Sequence, residues 1–583
     1  MFSFSIHRAC YALVALGLLM GLPVQAQHTQ HPAGDTTMKM PMNMKMGSPT
    51  KKKSTAKSRT STAKKKTPAA KPKSGTRPAA KKHRTKMNMN MPARSAKSGK
   101  AAPMAGMKMD SHPATAHADS TPANMPRMAG MAGVKHDSAA AMKGMAPGMK
   151  MPAAHGHTTE DMMIGPAGVS MERMGSGTTW IPDAVTMPNR RRMLGDWMIM
   201  AHGFAFAQYD KQSGERGDDQ FGSLNWAMLM ATHDLAGGRF QVRTMLSLDA
   251  FTVTSRGYPL LLQSGESFDG EPLHDRQHPH DFWMELGALY QRQINRNLAW
   301  SIYAAPSGEP ALGPVAFMHR PSAMDNPTAP ISHHWQDATH VSFGVLTTGI
   351  YTHAWQIEGS VFNGREPDQR RWNFDSIHLD SYSGRLTMNP SRSWSFSGGY
   401  GYLKSPEAFN PAESMHRITT SIQHGSTWGS TGQVASTLIW GVNKHSTATA
   451  LANSFLLESE AILDRSNTLF GRTEFVQKSA EDLVVSDPSV TSGGVVLPGF
   501  PTDKHFNVGT MQLGYIRELA RSHWATVGLG AAGTLNFVPG ALEPYYGSRT
   551  PAGGIVFLRL RPFHSSRKEI TNMGGMKMDA SPE

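Results

Sequence analysis

The sequence of residues 195–563 predicts an all-β fold, an up-and-down transmembrane β-barrel of about 16 antiparallel strands. Three observations lead to this prediction. The chain breaks into short segments in which apolar and polar residues alternate. The connections between these segments alternate between short and long. No run of about 18 apolar residues, as a membrane-spanning helix requires, follows the first part of the chain.

The alternating segments are rich in Trp, Tyr, Phe, Gly, Thr and Ser, and their period of two is typical of strands with one apolar and one polar face. Examples are Gly195–Tyr209, Gly238–Val253, Asp281–Gln293, Gln433–Val442 and Ala525–Phe537. The final segment, Gly554–Phe563, alternates in the same way and ends in Phe, which resembles the C-terminal signal of outer-membrane barrels.

The lengths of the connections predict which ends of the strands lie together. The short ones are Asp234–Gly238, Asn295–Asn297, Asn389–Ser393, Asp464–Asn467 and Glu518–His523. The long ones are Asp210–Gln220, Thr254–His280, Pro306–Gln336, Asn363–Asp375, Leu403–Glu413, Lys478–Lys504 and Val538–Pro551. A barrel in the outer membrane has short periplasmic turns and long outside loops, and an even strand number leaves both termini in the periplasm.

Aromatic residues near the ends of the segments favour the same architecture, because interfacial girdles of Trp and Tyr flank the lipid-facing band of such barrels. The pairs are Trp197 with Tyr209, Trp283 with Tyr290, Trp300 with Tyr303, and Trp394 with Tyr402.

Residues 1–26 predict a signal peptide. They combine His7 and Arg8, an apolar run and a small-residue cleavage site that ends at Ala26. Cys10, the single cysteine of the chain, would leave with this peptide. Disulfides and thiolate metal sites are then excluded, and a metal would be held by Met, His or carboxylate.

Residues 27–160 predict a disordered periplasmic tail, because Ala, Lys, Pro, Ser, Gly and Met cannot bury enough apolar area to fold. Residues 161–194 would link this tail to the barrel, and residues 564–583 would form a second periplasmic tail. The block Lys51–Lys86 contains no acidic residue and accounts for the formal net charge of +15. In a secreted chain it predicts either contact with anionic envelope polymers or lipid headgroups, or a solvated spacer, and not nucleic-acid binding.

The tails contain repeated M-x-M motifs, in which an extended chain projects two thioethers to the same side. Thioether sulfur is soft and is never protonated, so the motifs predict binding of Cu(I), and of silver as its analogue, rather than the packing of a core. The predicted ligands are Met38, Met40, Met42, Met44, Met46, Met87, Met89, Met91, Met107, Met109, Met149, Met151, Met576 and Met578.

Two predicted loops of the barrel carry clustered histidines. His278 and His280 end one loop, and His333 and His334 lie in the next long loop. Imidazoles with nearby carboxylates suit Cu(II), Zn(II) or Ni(II). The alternative is that the His, Arg and Asp of these loops form hydrogen bonds and ion pairs that fold the loops into the lumen.

Met198, Met200, Met228 and Met230 alternate along the first two segments. They would face either the lumen, as copper ligands, or the lipid, and the lipid-facing orientation is favoured. The sequence contains none of the common hydrolase or nucleotide-binding motifs, and His319 and Ser322 lack a third catalytic partner, so we expect no enzymatic activity.

A signal peptide, a Met-rich tail with the motifs at Met38–Met46, Met87–Met91, Met107–Met109 and Met149–Met151, and a barrel follow one another in this chain. This organisation resembles the copper-resistance protein B family of outer-membrane proteins. The resemblance covers the mature chain and implies copper handling at the outer membrane, but it assigns no residue of the barrel.

Three functions follow from the sequence. The first is copper resistance, by sequestration or export of metal that the periplasmic tails capture. The second is a general porin or solute channel with an incidental tail. The third is a structural protein that tethers the envelope through Lys51–Lys86.

Overall fold

The computed structural model describes residues 158–408, 410–490 and 494–562. The signal peptide, nearly all of the N-terminal tail with its M-x-M motifs and basic block, Phe563, and the C-terminal tail with Met576 and Met578 lie outside the described residues. Among the described residues, no helix has the length and apolar character needed to cross a membrane.

Twenty-one strands are present in the described part of the chain. They are β1 (Arg190–Leu194), β2 (Trp197–Gln212), β3 (Asp219–Leu235), β4 (Gly238–Leu246), β5 (Tyr258–Phe268), β6 (Glu271–Gln277), β7 (Trp283–Gln293), β8 (Ala299–Gly308), β9 (Ser342–Tyr351), β10 (Trp355–Phe362), β11 (Ser381–Ser391), β12 (Trp394–Lys404), β13 (Ser414–Trp428), β14 (Gly432–His445), β15 (Ala452–Ile462), β16 (Asn467–Ser479), β17 (Ser489–Val490), β18 (Val496–Leu497), β19 (His505–Arg521), β20 (Ala525–Phe537) and β21 (Ala552–Pro562). One-turn α-helices span Thr159–Met162, Asp249–Thr252, His333–Gln336 and Glu543–Tyr546, and 3-10 turns span Pro166–Gly168, Met171–Arg173, Phe317–His319, Ala338–His340 and Gly540–Leu542.

Sixteen of these strands form one closed antiparallel barrel. Each pairs with the next along the chain, and β21 pairs with β2 to close the ring. The five remaining strands are the short β1 and the hairpins β5–β6 and β17–β18, which belong to the connections. The predicted up-and-down barrel of about 16 strands is therefore confirmed.

The two faces of the wall differ as a lipid-facing barrel requires. Along β15, Phe455 and Leu457 point outward with about half of their surface exposed (47% and 52%), whereas Glu458 and Glu460 point inward and are buried. Apolar side chains likewise point outward along most of the other strands. An apolar outer surface on a closed barrel is the surface that lipid covers, so the barrel lies in a bacterial outer membrane.

Four methionines contradict the favoured sequence prediction. Met198, Met200, Met228 and Met230 are between 0% and 8% exposed and face the lumen, not the lipid. Tyr303 is a second correction, because it is fully buried and donates a hydrogen bond to Glu285 instead of joining an interfacial girdle.

Two segments fill the lumen. Residues 158–189, mostly within the predicted linker, contact the end of the short turns, where Asn389 Nδ2 donates to the carbonyl of Ile181 over 2.9 Å. They extend further along the lumen at Gly177, whose carbonyl accepts from Arg243 Nη1 over 2.7 Å. The loop 309–341 between β8 and β9 is buried throughout. The backbone N–H of Ala316, in this loop, donates to Ser176 Oγ over 2.9 Å, so the two segments contact each other.

Ion pairs hold the loop 309–341 against the wall. Arg320 Nε lies 2.6 Å from Glu458 Oε1, and Asp325 Oδ2 lies 2.6 Å from Arg559 Nη1. The backbone N–H groups of Ile331 and Ser332 donate to the carboxylate of Glu474 over 3.1 and 2.9 Å. Polar contacts therefore hold this loop inside the lumen.

Candidate metal centre

The hairpin β5–β6 covers part of the lumen and brings the first histidine loop over the second. Its turn is Asp269-Gly270, with both residues at positive φ (51° and 81°), the preferred sequence of a two-residue hairpin turn. Leu262, Glu266 and Asp275 also have positive φ (67°, 62° and 55°). Such conformations are uncommon for residues other than Gly, and they cluster at functional sites.

Three of the four histidines that the sequence singles out lie together. The ligand atoms of His278, His333 and His334 all lie within 4.8 Å of one another, and all three residues are buried. His333 and His334 begin the one-turn helix His333–Gln336. His278 approaches them from the segment after β6, with ring centroids 6.3 Å from His333 and 5.8 Å from His334. We call these three residues the outer histidine cluster.

Carboxylates orient two of the rings. His333 Nδ1 lies 2.8 Å from Asp337 Oδ1, and His334 Nδ1 lies 3.1 Å from Glu366 Oε1. A carboxylate accepts the proton of Nδ1, which leaves the lone pair of Nε2 for a metal ion, as in most histidine metal sites. His334 Nε2 is buried and has no hydrogen-bond partner in the described part of the chain.

The third ring has an acceptor opposite each nitrogen. His278 Nδ1 faces the carbonyl of Pro279 at 3.1 Å, and its Nε2 faces Glu266 Oε1 at 3.1 Å. A neutral imidazole has one N–H, so one of the two contacts needs another proton or a cation. Burial raises the pKa of Glu266 to about 8, although the charge of Arg371 opposes this rise. A proton on Glu266 therefore satisfies the contact at neutral pH, and a metal ion between the two groups would replace that proton.

Burial lowers the pKa of two rings of the cluster, those of His278 and His333, and so favours their neutral form. It holds the pKa of His278 well below its usual value, with the nearby charge of Arg371 acting in the same direction. It lowers the pKa of His333 despite the opposing carboxylate of Asp337. The neutral imidazole is the form that binds metal, so these rings would remain available as ligands at mildly acidic pH.

His280, the fourth predicted histidine, lies outside this cluster and pairs with His340. Their ring centroids are 5.5 Å apart, and that of His340 lies 5.1 Å from His333. His280 Nδ1 contacts Asp249 Oδ2 at 2.7 Å, and His340 Nδ1 contacts the carbonyl of Asp337 at 2.8 Å. The Nε2 atoms of both rings are buried and have no hydrogen-bond partner among the described residues.

Sequence reasoning missed His340 and the carboxylates Glu266, Glu366 and Asp249. His340 follows His333 by seven residues in the same loop, so its position was an available signal. Glu266 and Asp249 lie in the same β4–β7 connection as His278 and His280, and Glu366 lies in the β10–β11 connection; only the folded structure brings all three carboxylates to the rings. Three imidazoles with a carboxylate beside them form a ligand set that suits Zn(II), Cu(II) or Ni(II).

No protein-family model matches the chain, and no curated protein matches it. Solved outer-membrane proteins do match its structure. An anion-selective porin from Comamonas acidovorans is 11% identical, with a TM-score of 0.38, over 63% of this chain and 100% of the porin. OprB of Pseudomonas putida is 12% identical, with a TM-score of 0.38, over 62% of this chain and 94% of OprB. A loop-deletion mutant of OmpT from Vibrio cholerae is 7% identical, with a TM-score of 0.35, over 62% and 99%. At this level of similarity, these proteins carry no implication for what the chain binds or transports.

Proposed function

We propose that this protein binds transition-metal ions at the outer membrane, with copper as its principal cargo. The observation that carries the proposal is the outer histidine cluster, in which His278, His333 and His334 place their ligand atoms within 4.8 Å of one another. Carboxylates on the Nδ1 atoms of His333 and His334 support it, because they orient the rings for coordination through Nε2.

In the proposed mechanism the thioethers of the M-x-M motifs capture Cu(I) in the periplasm. Many weak sites on one chain raise the local concentration of the ion. The outer histidine cluster separately holds a divalent ion, such as Cu(II), that reaches the lumen in that oxidation state. This arrangement serves resistance by sequestration, or by export if the lumen segments move aside. The resemblance to copper-resistance protein B in the order of signal peptide, Met-rich tail and barrel supports the same function.

The first test of this function is titration of the full chain, refolded in detergent micelles, with Zn(II) and with Cu(II). We expect H278Q, H333Q and H334Q each to bind at least one ion fewer or about tenfold more weakly. H416Q is the matched control, because His416 lies on β13 and points outward. Equal binding by the native chain and the three cluster variants would rule out the cluster as a metal site.

The second test addresses the tails. Cu(I) titration of the full chain against a competing chelator is compared with a chain in which the M-x-M methionines are replaced by Leu. Loss of several bound Cu(I) ions per chain is the expected result. Unchanged binding would exclude the thioethers as ligands.

A solute channel is the second candidate function. The observation that favours it is the closed sixteen-strand barrel, which would enclose a channel if the segments that fill its lumen moved aside. A channel predicts release of small solutes from vesicles that contain the protein, unaltered when residues 27–157 are deleted. A metal-binding barrel whose lumen stays filled predicts no such release.

Envelope tethering through Lys51–Lys86 stays a further proposal. Attachment to an anionic polymer predicts retention that falls as salt rises and that is insensitive to replacement of Met.

A further inference from the structure

Three neighbouring strands place a histidine and two methionines side by side on the inner wall. His202 on β2 is directly opposite Met228 on β3, and Met228 is directly opposite Met245 on β4. All three side chains face the lumen and are buried. The hydrogen bonds of the barrel fix this register, so they fix the relative backbone positions of the three residues.

A second histidine, His319 of the loop 309–341, lies against this row. His319 Nε2 lies 3.3 Å from Met245 Sδ, and His202 Nε2 lies 3.1 Å from Met228 Sδ. The two imidazole rings lie edge to face, with centroids 5.4 Å apart and an interplanar angle of 63°. His319 Nδ1 is buried and has no hydrogen-bond partner in the described residues.

These distances are close to those between two ligands of one metal ion. A tetrahedral ion with bonds of about 2.0 Å to nitrogen and about 2.3 Å to sulfur holds the two atoms roughly 3.5 Å apart.

The surroundings select for a soft ion of low charge. Trp226 packs against both rings, with centroids 4.6 Å from His319 and 5.2 Å from His202. Its indole face can stabilise a cation nearby. Arg243, which lines the adjoining cavity, is ion-paired with Glu285 over 2.8 Å, so its charge is compensated. Two neutral imidazoles and two thioethers carry no negative charge, which favours a monovalent soft ion over Zn(II) or Cu(II).

Further thioethers line the cavity beside the row. Its volume is about 30 Å³, and its walls include His202 and His319. The methionines around it are Met171, Met174, Met187, Met200 and Met230. Met171, Met174 and Met187 belong to the lumen segment 158–189, so the cavity lies between the row and the end of the barrel with the short turns. A second cavity, of about 20 Å³, is lined by Met245, Met284, Met318, His319 and His340.

We propose that His202, His319, Met228 and Met245 form a binding site for Cu(I), and for Ag(I) as its analogue. We call it the inner Met/His site. It rests on the proposed function and adds a separation by oxidation state, with the monovalent ion held deeper in the lumen than the divalent ion of the outer histidine cluster. The thioether-lined cavity lies between this site and the end of the barrel with the short turns.

The experiment uses the full chain in detergent micelles with Ag(I) as the probe, because silver does not change its oxidation state. Ag(I) also binds the tails, so the readout must be local to the lumen. The emission of Trp226 provides it, measured as the difference between the native chain and W226F. We expect Ag(I) to quench this component, and the M228L/M245L variant to need at least tenfold more Ag(I) for the same quenching.

M388L/M511L is the matched control, because Met388 and Met511 lie on strands of the same wall but point outward (46% and 52% exposed). It should respond as the native chain does. Leu and Met have similar volumes, so both variants should keep the barrel, which far-UV circular dichroism checks. Quenching of the Trp226 component that persists in M228L/M245L, or that is missing in the native chain, would overturn the inner site.

Zn(II) and Cu(II) titrations of the same samples separate this inference from the proposed function. If Ag(I) leaves Trp226 unaffected while the outer histidine cluster still binds Zn(II), the inner site is wrong and the proposed function stands. If neither metal binds to the barrel or the tails, both are wrong.

Discussion

Arg320 and Glu458 form an ion pair that is almost completely removed from solvent, with side-chain exposures of 0% and 1%. Arg320 comes from the loop 309–341 and Glu458 from β15, so the pair joins the contents of the lumen to its wall. Asp337 and Arg472 extend it into a network of four charges, with separations of 2.9 Å to Arg320 and 3.0 Å to Glu458.

Removing one partner of this buried ion pair should lower the stability of the barrel. We expect R320M to lower the free energy of unfolding by about 3–5 kcal/mol, because it leaves buried carboxylates without their counter-ion. Urea unfolding of the refolded barrel measures the change. R517M is the control, since Arg517 is exposed. An equal effect of the two variants would mean that the pair does not hold the loop in place.

Metal binding by the outer histidine cluster should strengthen with rising pH. The pKa of Glu266 is raised to about 8, so below that pH a bound metal must displace a proton from it. We expect affinity for Zn(II) to rise about tenfold per pH unit between about pH 6 and pH 8 and then to level off. Zn(II) titration at a series of pH values measures this, and E266Q should remove most of the dependence.

The same shift affects stability without metal, in the opposite direction. The folded chain holds the proton on Glu266 more tightly than the unfolded chain does. Stability should therefore fall as pH rises from the ordinary carboxyl pKa towards about 8. Urea unfolding of E266Q should lack this component. A dependence that is identical in the native chain and in E266Q would show that another group controls it.

Glu366 should act as a positioning residue. It orients His334 through Nδ1 at 3.1 Å without belonging to the set of imidazole ligands. We expect E366Q to weaken Zn(II) binding about 10- to 100-fold, as the loss of such partners does in other metal sites. E366D should recover part of the affinity, because a carboxylate is restored. Unchanged Zn(II) affinity in E366Q would show that Glu366 does not position His334 for metal binding.

Gly265 and Gly270 offer a matched pair of backbone substitutions in one hairpin. Both have positive φ (110° and 81°), but a Cβ at Gly265 would lie 2.4 Å from the ring of His334, whereas a Cβ at Gly270 would meet nothing within 4 Å. We expect G265A to displace His334 and to weaken Zn(II) binding about tenfold or more, and G270A to leave the affinity unchanged. Zn(II) titration of both variants makes the comparison. Equal affinities would show that the hairpin does not position His334 for metal binding.

The barrel was predictable because its pattern is local. Alternation along Gln433–Val442 identified β14 (Gly432–His445), and the length of Thr254–His280 identified an outside loop that contains β5 and β6. The alternation of apolar and polar residues with period two depends only on the strand and on its contact with lipid, so it can be recognised without knowing the rest of the structure.

The orientation of β2 was not predictable from the same rule. Trp197, Met198, Ile199 and Met200 are all apolar, so alternation cannot distinguish the two faces of the strand at this end. The face was decided by the lumen segment 158–189, whose Met162, Met163 and Met171 pack with Met198. The residues that fill this part of the lumen are apolar, so the inner face of β2 is apolar as well. The sequence of β2 alone does not indicate which residues lie in the lumen.

The outer histidine cluster was predictable in part for a similar reason. The residue types and loops of His278, His333 and His334 could be read from the sequence. The pairing of His334 with Glu366, 32 residues further along the chain, depends on the folded loops.

The strand β1 has a mechanical consequence for the seam of the barrel. β2 pairs with β21 from Ala205 to Gln212, and with β1 from Trp197 to Ala201. β21 thus covers only part of one edge of β2, and the segment that leads out of the lumen pairs with another part of β2 through β1. Removing that segment would break the pairing of β1 with β2 and leave part of the edge of β2 without a partner strand. Displacing residues 158–189 from the lumen therefore also requires breaking the backbone pairing of β1 with β2.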